Sequence, residues 1–148
     1  ASLIANSSRA AGVLSACSES QLDGLYQFGR QLGLAFQVVD DILDFTGSEQ
    51  QLGKPAASDL ASGYLTAPCF YAMEEHPELK GLIDRQFSGD QDLDQALSMV
   101  RSSKAIPRTR ELAETFARES REAIAWLPDS PSKRALMELP DFVLSRLY

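Results

Sequence analysis

Three carboxylates, Asp40, Asp41 and Asp44, stand in the otherwise apolar stretch Gly33-Leu-Ala-Phe-Gln-Val-Val-Asp-Asp-Ile-Leu-Asp44. In a helix turning about 100° per residue, Asp40 and Asp44 lie roughly 40° apart, and Asp41 and Gln37 share an arc of about 100° with them. Like charges gathered on one face disfavour each other's ionisation unless a cation sits between them. The cation that suits such a set is hard and oxygen-loving. Mg²⁺ fits best, because it takes a few carboxylates, keeps several waters and completes its shell with phosphate oxygens of a substrate. A solvated acidic face is the competing account. Against it, Val38, Val39, Ile42, Leu43 and Phe45 crowd the segment, and Asp is a poor residue for a helix interior. Three of them together point to a requirement beyond solubility.

The residues after the motif extend the chemistry. Phe45-Thr46-Gly47 ends the helix, with Gly47 suited to a left-handed cap. The stretch Leu52-Gly-Lys-Pro-Ala-Ala-Ser-Asp-Leu60 then reads as a loop carrying Lys54, with Ser58 placed to cap the next helix. By itself Lys54 is an ordinary surface lysine. Directly after a metal-binding helix, a lysine is placed to meet phosphate as a point charge.

Taken together, G-x-x-F-Q-x-x-D-D-x-x-D followed by G-K-P-x-x-S-D-L resembles the second aspartate-rich motif of the trans-isoprenyl diphosphate synthases, nearest to the long-chain polyprenyl, solanesyl-like members. The resemblance runs through the whole chain. The opening Ala1-Ser-Leu-Ile-Ala-Asn6 is similar to the segment after that family's Lys-Thr diphosphate motif. The tail from Trp126 to Arg146, with Arg134, Leu136, Leu139, Phe142 and Val143, is similar to its C-terminal helix. The resemblance implies an all-α helical bundle, the C-terminal part of the isoprenoid synthase fold. It also implies a prenyltransferase that extends an allylic prenyl diphosphate with isopentenyl diphosphate as diphosphate departs. By the same resemblance, Asp40, Asp41 and Asp44 hold Mg²⁺, Gln37 orients substrate or an Asp, and Lys54 contacts the leaving diphosphate. Asp40, Asp41 and Lys54 are then the catalytic set, and Gln37 and Lys54 the substrate-binding one.

The departures bear on activity. The family uses two aspartate-rich motifs on facing helices, and these 148 residues hold one D-D-x-x-D. The Lys-Thr pair and the arginines of the family's first half are missing from it. Tyr64 stands where many members carry a second lysine, and Ala57 where Gly is frequent. The chain therefore reads as the C-terminal half of an enzyme, inactive alone, which forms a homo-oligomer or pairs with the missing N-terminal half. The alternative is a non-catalytic helical subunit that pairs with a catalytic partner. A terpene-cyclising enzyme is disfavoured by the Lys54 loop and the tail.

Composition agrees with this reading. With 148 residues, 44% hydrophobic and 24% charged, the chain suits one domain spanning 1–148. A net charge of −7 and a pI near 4.7 argue against nucleic acid as partner. Substrate diphosphates then need neutralising by metal and particular basic residues. Cys17 and Cys69 have no metal-site spacing and read as free buried thiols of a reducing compartment, cytoplasmic or plastid-stromal. No apolar run reaches the ~20 residues of a membrane span, and no signal peptide is evident. The start in mid-helix pattern without Met fits an excised fragment or a cleaved product.

The elements that must position the aspartates all read as helices. One covers residues 1–16, with Ala5, Ala10, Ala11 and Gly12 permitting close packing. A capping box at Ser18 to Gln21 opens a second that runs to about Thr46, with Leu22, Leu25, Phe28, Leu32, Phe36 and Val39 as its apolar stripe. A third covers 59–75, bent or split near Leu65 by Gly63 and Pro68. Short helices at 77–87 and 91–102 come next. A longer one at 105–127 turns Leu112, Phe116, Ala123 and Leu127 inward. The last begins with Ser130 and Pro131. Apolar surface around Leu3, Ile4, Phe28 and Phe36 is expected to stay exposed. Asp90-Gln-Asp-Leu-Asp94 is not a calcium loop, because Gln95 and Arg101 occupy the Gly and Glu positions; its charge suits a helix N-terminus. His76 reads as a surface residue, and Trp126 as packing at a helix end.

Overall fold

The capping box at Ser18 forms as its residues dictate. The Ser18 N–H donates to Gln21 Oε1 at 2.9 Å, and the Gln21 N–H points back at Ser18 Oγ at 3.4 Å. From this start α2, Glu19–Thr46, runs for 28 residues and carries the whole aspartate motif. The computed structural model of the chain describes residues 1–47 and 57–148. Among them the regular structure is helix, with no strand. Besides α2 these helices are α1 (Ser2–Leu14), α3 (Ser58–Ala61), α4 (Ala67–Glu75), α5 (Leu79–Asp84), α6 (Asp92–Ser102), α7 (Ala105–Ala123) and α8 (Pro131–Ser145). No helix of the described residues is long and apolar enough to cross a membrane.

The chain packs as two compact units. One joins Ala1–Val39 to Leu112–Tyr148, and the other is Asp40–Glu111. In the first, the α2 stripe is largely buried: Leu22, Phe28, Leu32 and Val39 are each under a tenth exposed. Phe28, at 4% exposure, corrects the expectation that it would lie on an open apolar face. Leu3 and Phe36 do stay exposed. Only Ala5 and Gly12 of the four small residues of α1 are buried, while Ala10 and Ala11 face outward.

Close approach explains Gly29. A Cβ there would fall 2.6 Å from the carbonyl oxygen of Ile4 and 2.8 Å from the Ala5 Cα. These are backbone atoms, so α1 would have to move. Gly29→Ala is expected to destabilise the protein by up to about 2 kcal/mol, because overpacking of about 1–3 kcal/mol outweighs the ~1 kcal/mol helix gain of Ala over Gly. Gly81→Ala in α5 meets nothing within 4 Å and should stabilise by up to about 1 kcal/mol. Urea melts of the two variants should therefore shift in opposite directions.

The inward face of α7 differs by one residue from the sequence expectation. Ala113, Ala117 and Ser120 are buried, as is Ile124 just past the helix end, and Leu112, Phe116 and Ala123 are only partly so. Small residues let the backbones approach, and Ser120 Oγ donates to the Phe28 carbonyl at 3.2 Å. The Gln31 amide donates to Glu119 Oε2 at 2.7 Å beside it. The helix also ends at Ala123, before the expected 127. The Trp126 indole N–H bonds the Ala123 carbonyl at 3.0 Å, and Lys133 Nζ takes the carbonyls of Ala125 and Leu127. In this way Trp126 closes a helix end, as expected. Ser130 caps α8 through a 3.0 Å bond from the Lys133 N–H, with Pro131 opening the helix.

In the second unit the expected 59–75 helix is split. After α3 the chain turns at Gly63, which takes φ +83, and α4 restarts with Pro68 in its first turn, where no intrahelical N–H is needed. Phe45, Leu60, Cys69, Ala72, Leu79, Leu82, Ala96 and Val100 form the core. Asp92, the first residue of α6, turns back to the chain before the helix. It accepts from the Gly89 N–H at 2.9 Å and from Arg85 Nε at 2.7 Å. The Arg85 guanidinium holds its carboxyl below the usual carboxylate range.

Candidate functional site

The aspartates sit in the C-terminal turns of α2, within the second unit. Their helix alternates between core and motif: Ile42 and Phe45 are each 1% exposed, and burying such side chains contributes about 1.5–3 kcal/mol apiece. That anchoring sets the azimuth of the carboxylates. They are not equivalent. Asp40 is half-buried, Asp41 is 7% exposed and Asp44 is 1% exposed. Among the described residues, no group of three or more acidic, His or Cys side chains converges closely enough to hold one metal ion.

Asp44 is tied to the chain that returns after the motif. Its Oδ1 accepts from Ser58 Oγ at 3.1 Å, its Oδ2 from the Asp59 N–H at 3.2 Å, and its main-chain carbonyl from the Ala57 N–H at 2.8 Å. Ser58 was expected to cap α3. Instead it is the first residue of that helix and donates its hydroxyl, while Asp44 satisfies the Asp59 N–H from α2. Ala57 reaches this position in the left-handed region, at φ 56, fully buried. This conformation is the physical reason a Gly would suit position 57. Arg101 Nε donates to the Phe45 carbonyl at 2.9 Å and so closes the end of α2.

Gln37 lies on the same helix one turn before Asp40, exposed, and within the first unit. Beside it in sequence, Phe36 carries the Arg146 guanidinium over its ring at 4.6 Å. Nothing in the local sequence signals that pairing, because 110 residues separate the two. Lys54 lies outside the described residues. Tyr64 is 69% exposed. A cavity of about 450 Å³ in the second unit is lined by Ser62, Gly63, Leu65, Ile83 and Phe87 among others, and by none of the aspartates.

Of the two thiols expected to be buried, Cys17 is only partly so, whereas Cys69 is fully buried beside this motif. Burial pushes its thiol up to about 11, helped by the Asp41 and Asp44 carboxylates and opposed by hydrogen bonding to Thr66. A raised folded value means the neutral thiol stabilises the fold fully below the unfolded value of about 9, and the contribution is lost as pH rises through about 11. At pH 8 iodoacetamide should therefore label the partly exposed Cys17 first. Cys69 should react only on unfolding. Mass spectrometry of a labelling time course checks this, and equal rates for the two thiols would contradict it.

Known proteins share this architecture, and their similarity runs through the stretch that carries the motif. A family model described as polyprenyl synthetase matches residues 1–100. A prenyl transferase of Synechocystis sp. is 52% identical over 148 residues, which is 100% of this chain and 46% of that protein. The chloroplastic solanesyl-diphosphate synthase 2 of rice (Oryza sativa subsp. japonica) is 44% identical over 147 residues, covering 99% of this chain and 36% of that protein. Among solved structures, the apo form of an Arabidopsis medium/long-chain-length prenyl pyrophosphate synthase aligns with TM-score 0.87 and 41% identity, over 99% of this chain and 51% of the other. A polyprenyl synthase from Caulobacter crescentus, complexed with calcium and isoprenyl diphosphate, aligns with TM-score 0.87 and 32% identity, over 99% of this chain and 46% of the other. The chain thus spans about half the length of these relatives, or less. The aspartate motif on α2 lies inside the matched region, the helical architecture is that of the aligned structures, and the chain belongs to the polyprenyl synthetase family.

Proposed function

We propose that the protein containing this chain is a trans-polyprenyl diphosphate synthase, extending an allylic prenyl diphosphate with isopentenyl diphosphate. The observation that carries the reading is the aspartate motif on α2 within the segment matched by the family model. Carboxylate oxygens are the donors a hard cation takes, and Mg²⁺ binds through one or two carboxylates plus waters and substrate phosphate, so no three-carboxylate cage is needed. Asp40, half-buried, and Asp41 next to it would hold the ion. Mg²⁺ supplies neutralisation of the charge that develops on the departing diphosphate.

The residues of the chain divide the remaining work. Lys54 contacts the leaving diphosphate as a point charge. Gln37 orients substrate or an aspartate. As the allylic C–O bond breaks, its electrons leave with the diphosphate. The double bond of isopentenyl diphosphate then forms the new C–C bond, and a proton is lost to restore a trans double bond. No side chain need act as nucleophile, and the released pyrophosphate accepts the proton. In the full protein the chain works as a homo-oligomer whose N-terminal half supplies the wall opposite α2.

The test is to incubate the full-length protein with labelled isopentenyl diphosphate, farnesyl or geranylgeranyl diphosphate, and Mg²⁺. Longer prenyl diphosphates should accumulate, and chelation should abolish them. Absence of any extended product from folded protein with either primer would overturn the reading.

A further inference from the structure

Asp44 differs from its two neighbours in a way the motif does not announce. It is the most buried of the three, at 1% exposure, against 7% for Asp41 and half-burial for Asp40. Mg²⁺ gives up its waters reluctantly and usually keeps several when bound, so a carboxylate with almost no exposed surface is the poorest of the three ligands. Both of its oxygens already accept hydrogen bonds, from Ser58 Oγ and the Asp59 N–H. Its own carbonyl receives the Ala57 N–H. Among the described residues, three consecutive positions, 13 to 15 residues further along the chain, thus each give Asp44 a donor. The bond to Asp59 satisfies a first-turn N–H of α3 that no side chain at the N-cap reaches, since that residue is Ala57.

We infer that Asp44 is a positioning residue rather than a metal ligand: it fastens residues 57–59 to the end of α2. The chain leaving the motif therefore re-enters beside it at a fixed place. The left-handed Ala57 is held in the same fastening: its conformation costs roughly 1–2 kcal/mol and persists because the Asp44 bonds on either side over-determine it. The inference rests on the prenyl-transfer reading and divides the aspartates into two that meet the ion and one that holds the chain.

The experiment uses the full-length protein and Mn²⁺ as probe, with binding read by electron paramagnetic resonance in the absence of substrate. Asp40→Ala should weaken Mn²⁺ binding at least tenfold, whereas Asp44→Asn should leave it within twofold of wild type. In the assay with allylic diphosphate, Asp44→Ala should raise KM about tenfold or more. Asp44→Asn, which keeps one acceptor oxygen, should recover part of that loss. Ser58→Ala should raise KM less and add little in the Asp44→Ala background. If Asp44→Ala does not fold, Asp44→Asn and Ser58→Ala carry the same comparison. Loss of Mn²⁺ affinity in Asp44→Asn equal to that in Asp40→Ala would overturn the inference, as would an unchanged KM in Asp44→Ala. Unchanged Mn²⁺ binding in Asp40→Ala would overturn the division of the aspartates at Asp40, whereas absence of any extended product from the wild-type protein in the same assay would overturn the prenyl-transfer reading itself.

Discussion

Asp40→Ala in the full-length protein is expected to lower turnover at least about a hundredfold, a loss of about 2.7 kcal/mol of transition-state stabilisation. Asp40 is the most accessible carboxylate of the motif and so the one best placed to present an oxygen to a hydrated ion and a diphosphate. Charge accumulates on the leaving group only as the C–O bond breaks, so the loss should fall on kcat more than on KM. Stability should barely change, because Ala is a better helix former than Asp and the buried Ile42 and Phe45 still anchor the helix. Steady-state kinetics beside a thermal melt checks both halves. Activity within twofold of wild type would refute the assignment of Asp40.

The second large effect concerns the 148 residues by themselves. In the assay that reports extension by the full-length protein, they should fall short by at least about a thousandfold, equivalent to about 4 kcal/mol or more. One aspartate motif with a diphosphate satisfies the octahedral demand of Mg²⁺ once, and on the prenyl-transfer reading the leaving group is to be met by metal from both sides. Without an opposing wall, water also reaches the reacting carbon, which quenches an allylic cation and weakens every electrostatic contact. Leu3, Leu14 and Phe142 are each more than two-thirds exposed in the chain, and a patch built from such residues promotes self-association. An intact mass should accompany the assay. Sustained formation of longer prenyl diphosphates by the verified chain would contradict the prediction.

Much of the helical framework was legible because its signals are local. The capping box at Ser18, Pro131 after Ser130, and the break between Gly63 and Pro68 each depend on residues within a turn or two of one another, and each forms as read. The failures are of another kind. Phe28 is covered and Phe36 is not, although both lie on one apolar stripe. The buried face of α7 follows Ala113, Ala117 and Ser120 rather than the larger Leu112 and Phe116. In both cases hydrophobicity marks what gains from burial, while the separation of the backbones selects what fits.

By itself the sequence determined the all-helical class, the register that brings three carboxylates to one helical face, and the kind of cation they suit. These rest on the 3.6-residue period and on the chemistry of oxygen donors, which neighbours in the chain decide. Only the tertiary structure distinguished the carboxylates, leaving Asp40 reachable while enclosing Asp44 among the donors of Ala57, Ser58 and Asp59. Burial and hydrogen-bond partners at that separation depend on how the chain returns, and no periodicity within α2 encodes the return.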